Sequence, residues 1–202
     1  IQCYNTFIMA ELDLSDLDLS SALKQQPPKT DLSPVQPKEV AVLVPIASTL
    51  QAKLKAINVI SLIVGGLAID VLANDSLPNH TLRLHKDIDL LVNRNQVSSV
   101  DSVMQELGFK EVSRVAGKTR NSWDEGNLRT FESQDRTRVD IMGYYPTPRK
   151  DVADFPLMSW GKIDQHRSPI EINLVPVRVA YGDAQLDVLS PDSLFKLKSA
   201  QN

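Results

Sequence analysis

Apolar residues recur at helical spacing through Val40, Val42, Leu43, Ile46, Leu50, Leu54 and Ile57, which predicts a helix beginning after Pro37. Pro45 falls inside this pattern, so a kink or a later start is expected there. The rhythm then changes. Residues 59–64 form a short run rich in β-branched side chains and predict a buried strand. A double glycine, Gly65-Gly66, breaks that run, and residues 66–73 read as a helix with Leu67, Ile69, Val71 and Leu72 apolar. Residues 87–92 predict the next strand, and residues 96–107 an amphipathic helix closed by Gly108. A strand is expected at 109–115 and a polar loop at 116–126. Residues 128–132 and 138–144 predict a hairpin turning through Gln134-Asp135-Arg136. Residues 146–160 show no clean period. Short strands follow at 170–174, 177–181 and 185–188, the last two joined at Gly182-Asp183. Ser190 is placed to cap a final helix that takes Pro191 in its first turn. Alternating strands and helices with later hairpins imply an α+β or α/β class with a mixed β-sheet flanked by helices, and α+β is the class expected here.

The amino end differs from the rest. Leu12, Leu14, Leu17 and Leu19 lie among acids and serines, and Pro27, Pro28, Pro34 and Pro37 crowd a short span. That composition predicts an amino-terminal arm over residues 1–38, flexible on its own, ahead of a folded domain at 39–202. Residues 1–35 hold five acids and two bases, so the other 20 acids and 20 bases balance. This excludes the broad basic footprint of a general nucleic-acid binder. With 42% hydrophobic and 23% charged residues, the chain has the composition of a protein that buries an ordinary core. The one cysteine, Cys3, permits no intrachain disulfide or zinc cluster and fits a reducing, cytoplasmic location. No apolar run reaches the roughly 18 residues of a membrane span, so no membrane partner is expected.

Against this background one stretch stands out. Asp87-Ile88-Asp89 opens the apolar run that continues through Leu90, Leu91 and Val92. Two carboxylates one residue apart on a strand point to the same face, where like charges repel and desolvation raises their cost. A divalent cation would neutralise both, and magnesium commonly takes one or two carboxylates together with substrate phosphates. The alternative is that one aspartate caps a turn and the other pairs with a base. The glycine pair lets backbone approach a phosphate and precedes a helix start that offers N–H groups to an anion; the alternative is a tight turn or close helix–sheet packing. No Gly-Lys-Ser/Thr or Gly-x-Gly-x-x-Gly follows. Asp140, in a strand-like run, reads as a general base or third metal ligand, or else as the partner of Arg136 or Arg138. Arg83, His85 and Lys86 stand ahead of the acidic pair, suited to phosphate oxygens or to solvation and an ion pair. Of Lys196 and Lys198 only one is expected to reach a triphosphate. Asp70 is read as a cap, an ion-pair partner or a site residue.

Taken in order, Gly65-Gly66-Leu67-Ala68-Ile69-Asp70, Arg83-Leu84-His85-Lys86-Asp87-Ile88-Asp89 and Val139-Asp140 resemble the nucleotidyltransferase superfamily typified by DNA polymerase beta. Within it the motifs are most similar to the aminoglycoside and lincosamide nucleotidyltransferases, and the ending Leu189–Lys198 is similar to the closing helix of that family. The resemblance covers about residues 58–200. It implies a nucleotidyltransferase-like mixed sheet. It also implies that Asp87 and Asp89 bind Mg2+, that Asp140 completes a catalytic triad with them, and that Gly65 and Gly66 hold the nucleotide, with Arg83, His85 and Lys198 as further nucleotide-binding candidates. The implied reaction moves a nucleoside monophosphate from a nucleoside triphosphate, ATP among them, to a hydroxyl on a small molecule, protein or RNA, and releases pyrophosphate. The acceptor pocket is left to the arm, to residues 145–168, or to the second subunit of a homodimer. The alternative is a non-catalytic nucleotide-binding or partner-binding regulatory protein.

Overall fold

A computed structural model describes residues 36–77, 81–114, 128–155, 158–159, 162–163 and 169–200. The chain divides into two units, residues 1–32 and 33–202, and every described residue belongs to the second. Residues 1–35 of the arm expected over residues 1–38 lie outside the described residues, as do the loop expected at 116–126, His80 and His166.

The elements in chain order are α1 (Val40–Ala56), β1 (Ser61–Val64), α2 (Gly65–Ser76), β2 (Asp87–Asn93), a 3-10 turn (Arg94–Gln96), α3 (Val97–Glu106), β3 (Lys110–Arg114), β4 (Leu128–Glu132), β5 (Arg138–Pro146), β6 (Val152–Phe155), β7 (Met158–Ser159), β8 (Lys162–Ile163), β9 (Ile170–Asn173), β10 (Val177–Tyr181), β11 (Ala184–Val188) and α4 (Pro191–Ala200). The main sheet runs β10-β11-β1-β2-β5-β4-β3, with β6 joining the end of β5 to β9; β7 and β8 form a separate ribbon. It is mixed: β2 pairs parallel with β5 and β1 parallel with β11, while β1 and β2 are antiparallel. The protein is therefore α+β with an open mixed sheet flanked by helices, the first of the two classes that the alternation of elements allows.

All four residues of β1 are buried, as a continuous apolar strand between two neighbours requires. In β2 the even positions Ile88, Leu90 and Val92 are fully buried, while Asp87 and Asp89 are partly accessible on the opposite face. In β5 Val139 and Ile141 are buried and Arg138 and Asp140 share the accessible face. The buried side of α1 carries Val40, Leu43, Val44, Ala47, Leu50 and Leu54, one apolar stripe at helical spacing. Pro45 neither ends α1 nor delays its start, because Val40 already opens it. The helix of α2 is longer than the pattern predicts, starting at Gly65 and reaching Ser76. Residues 146–160, aperiodic in sequence, contribute β6, whose burial alternates through Ala153 and Phe155. No described helix is long and apolar enough to cross a membrane.

The lead-in to α1 is tied to the lead-in to β2. Lys38 and His85 exchange backbone hydrogen bonds of 2.7 and 2.9 Å. The Lys38 ammonium donates to Asp135 and to the Thr137 hydroxyl, both at 2.6 Å, in the turn between β4 and β5.

Candidate active site

Strand pairing assembles the acidic cluster. Parallel β2 and β5 run in register with Asp89 opposite Asp140, and antiparallel β1 sets Val64 opposite Asp89 on the other side. Side chains opposite each other in adjacent strands stand on one face, about 5 Å apart. Asp87, Asp89 and Asp140 accordingly each bring a ligand oxygen to within 4.8 Å of the others. Two of these come from one strand and the third from a strand some fifty residues on, so only the register makes the third a member.

The double glycine has a steric cause. Gly65 has φ +70, a left-handed conformation that other residues adopt at a cost, and a Cβ there would lie 1.9 Å from Asp89 Oδ2. A Cβ on Gly66 would lie 2.9 Å from His85 Nδ1. The turn between β1 and α2 is therefore pressed against the carboxylate of Asp89 and the ring of His85. Val64 supplies no side-chain cap, and the first turn of α2 contains no acidic residue. The start of α2, with the positive end of its helix dipole, thus lies beside Asp89 without a capping side chain.

Three carboxylates this close cannot all stay ionised without a counter-charge. Burial, then the neighbouring charges of Asp87 and Asp140, push Asp89 up to about 8, while Lys198 on α4 acts in the opposite sense. Asp140 is also raised, by burial first and by Asp87; a hydrogen bond from Thr130 and the charge of Arg138 oppose the rise. Thr130 is the register partner of Asp140 on β4. Arg136 and Arg138 do not pair with Asp140. Both bond to Glu132, at 2.7 and 3.2 Å. Asp140 Oδ1 is buried and has no hydrogen-bond partner in the structure.

The donor set fits a hard divalent cation: all ligands are carboxylate oxygens, one buried oxygen is without a partner, and the ligand atoms are close together. Asp87, Asp89 and Asp140 are the residues that would hold it.

The remaining residues singled out by sequence are distributed as follows. Arg83 and His85 both turn to Asp70 on α2. The backbone N–H, Nε and Nη2 of Arg83 donate to its carboxylate at 2.8, 3.0 and 2.7 Å, and His85 Nε2 lies 3.0 Å from Oδ2. Asp70 is fully buried. Burial alone would raise its carboxyl, but the hydrogen bonds and charge of Arg83 and the bond from His85 hold it well below the usual carboxylate range. Of the open roles for Asp70, the structure selects ion pairing. Lys198 acts on Asp89, whereas Lys196 reaches toward the Glu171 carbonyl at 3.5 Å. Thr130 was not singled out by sequence reasoning, because its place beside Asp140 exists only once β4 and β5 pair.

A family model described as aminoglycoside-2''-adenylyltransferase matches residues 47–141, from α1 through Asp140. No curated protein matches the chain. Among solved structures, the lincosamide antibiotic adenylyltransferase LnuA with lincomycin bound aligns with a TM-score of 0.56 and 13% identity, covering 83% of this chain and 90% of that one. ANT(2")-Ia in complex with adenylyl-2"-tobramycin aligns with a TM-score of 0.50 and 14% identity, covering 76% of this chain and 72% of that one. The solution structure of the antibiotic-resistance factor ANT(2'')-Ia gives a TM-score of 0.50 at 16% identity, over 76% and 68% of the two chains. At these identities the likeness is one of fold.

Proposed function

We propose that this chain is a nucleotidyltransferase, a metal-dependent enzyme that transfers a nucleoside monophosphate from a nucleoside triphosphate to a hydroxyl of a small acceptor; the family model over residues 47–141 and the shared fold support this reading. The observation that carries this reading is the convergence of Asp87, Asp89 and Asp140 beside the uncapped start of α2. A structural role would pair the carboxylates directly with bases, whereas Arg136 and Arg138 form their ion pairs with Glu132.

Each part of the site has work in this reaction. The N–H groups at the start of α2 receive phosphate oxygens, and the glycines let the polyphosphate approach the backbone. Lys198 adds a positive charge on the side of α4. A divalent ion held by the three aspartates, with Mg2+ the expected one, would supply neutralisation of phosphate charge during an in-line displacement. The acceptor hydroxyl oxygen forms a bond to the α-phosphorus, and the bond from that phosphorus to the bridging oxygen breaks, so pyrophosphate leaves. Asp140, on a strand separate from the other two carboxylates, takes the hydroxyl proton. Catalysis of this kind is mostly positioning and charge compensation.

The family description and the antibiotics in the matched structures support adenosine as the nucleobase carrier and an aminoglycoside- or lincosamide-like molecule as acceptor. The test is release of pyrophosphate and transfer of label from each nucleoside triphosphate in the presence of Mg2+, with tobramycin and lincomycin among the hydroxyl acceptors. Transfer that depends on Mg2+ and falls by about a thousandfold or more in Asp89→Ala is expected, the scale of removing a principal charge-stabilising group. Tight triphosphate binding with no turnover across acceptors would instead favour a regulatory nucleotide-binding protein.

A further inference from the structure

Asp70 lies outside the acidic cluster yet is the most completely engaged carboxylate near it. Its side chain is fully buried on α2, and it receives four hydrogen bonds from two residues that stand at alternate positions ahead of Asp87 and Asp89. One of them, His85, borders the Gly65-Gly66 turn, and the other, Arg83, shares the Asp70 carboxylate with it. His85 is seated against Gly66 just as Asp89 is seated against Gly65, so the imidazole and the site carboxylate flank the same two glycines. The ionised Asp70 carboxylate accepts, so the ring donates through Nε2 and turns Nδ1 toward the glycine. The backbone of His85 is pinned from the other side by Lys38. Arg83 spends Nε and Nη2 on Asp70, but its side chain is 58% exposed, so part of the guanidinium fork stays open to solvent.

We propose that Asp70 is a positioning residue for the nucleoside triphosphate: it orients the Arg83 guanidinium toward the polyphosphate and holds the His85 ring as the wall that shapes the Gly65-Gly66 turn. A guanidinium held on one edge by a buried carboxylate is pre-organised, so little side-chain freedom is lost when its other edge meets a phosphate. The inference rests on the nucleotidyltransferase reading, because it needs a polyphosphate at the start of α2.

The test measures binding of a non-hydrolysable ATP analogue with Mg2+ and, separately, KM and kcat, on full-length protein. Asp70→Asn keeps the shape but removes the charge that organises both partners. It is expected to raise Kd and triphosphate KM about tenfold or more, the scale of one charge-assisted hydrogen bond, with kcat changed less than about threefold. Arg83→Gln should do the same, and the double variant should be no worse than the weaker single, because Asp70 acts through Arg83. A purely structural Asp70 would lower the melting temperature and leave KM alone, and independent residues would give multiplied losses; either result overturns the proposal. If Asp70→Asn does not fold, Arg83→Gln decides. It leaves Asp70 bonded to His85 and to the Arg83 backbone, and unchanged analogue affinity in that variant overturns the proposal. Wild-type protein that binds no triphosphate removes the nucleotidyltransferase reading together with this one. Wild-type binding matched by both variants removes this one alone.

Discussion

A single missing carbon sets the geometry of the site. At Gly65 any side chain meets two obstacles, a φ of +70 and the Asp89 carboxylate where its Cβ would go. Gly65→Ala is expected to cost about 1–3 kcal/mol of backbone strain and to displace Asp89. Transfer activity should fall at least about a hundredfold, the scale of losing one well-placed stabilising group, while circular dichroism shows a folded protein with a lowered melting temperature. Unchanged activity would mean that Asp89 does not depend on the turn. The paired glycines are plain in the sequence, as is the acidic pair downstream. What presses on each glycine is not, because the contact joins residues some twenty positions apart through the pairing of β1 with β2. The same limit explains Asp140. From sequence its neighbours Arg136 and Arg138 were natural partners, yet Glu132, facing Arg138 across the hairpin, takes both.

At the level of elements, one polar residue fastens α1 to the sheet. Gln51 lies in the buried stripe of α1 and donates to the Ser61 and Asp187 carbonyls at 2.9 and 2.7 Å while accepting from the Asp187 N–H at 3.0 Å. It thus joins the start of β1 to the latter part of β11. Gln51→Leu leaves three backbone groups without these bonds and should cost about 2–4 kcal/mol in urea denaturation, with the transfer rate of the folded protein within about twofold of wild type. A stability loss below about 1 kcal/mol would show that water replaces the amide without penalty. Helical spacing revealed α1 because its apolar positions are regular. It passed over Gln51 because a polar residue in an apolar stripe is indistinguishable, in sequence, from the edge of the exposed face. Strand β6 was illegible for another reason: four residues with Asp154 among them give too short an alternation to register, and its pairing with β9 supplies what the local pattern lacks.

Across the whole molecule, stability is coupled to the charge of the site. Asp89 is pushed up to about 8 in the folded protein, against roughly 3.9 for an unfolded aspartate. Between those values the folded protein holds a proton that the unfolded chain has released, so the metal-free protein loses stability as pH rises from about 4 to about 8. A divalent cation displaces that proton and removes the repulsion. The rise in melting temperature produced by saturating Mg2+ should therefore be larger at pH 8 than at pH 6; equal shifts would show that metal and proton do not compete. A mixed sheet flanked by helices was legible from alternating elements, and the candidate site motifs from their order along the chain. The strand order was not, since the parallel union of β2 with β5 spans α3, β3 and β4 and no local signal specifies it. The account as a whole stands on three carboxylates acting together, and the measurement that tests this most directly is Mn2+ binding, followed by electron paramagnetic resonance with a non-hydrolysable ATP analogue present. Wild-type protein should bind the ion, and Asp140→Asn, altered on a strand separate from the other two ligands, should bind it at least about tenfold more weakly. Equal Mn2+ affinity in the two proteins would contradict it.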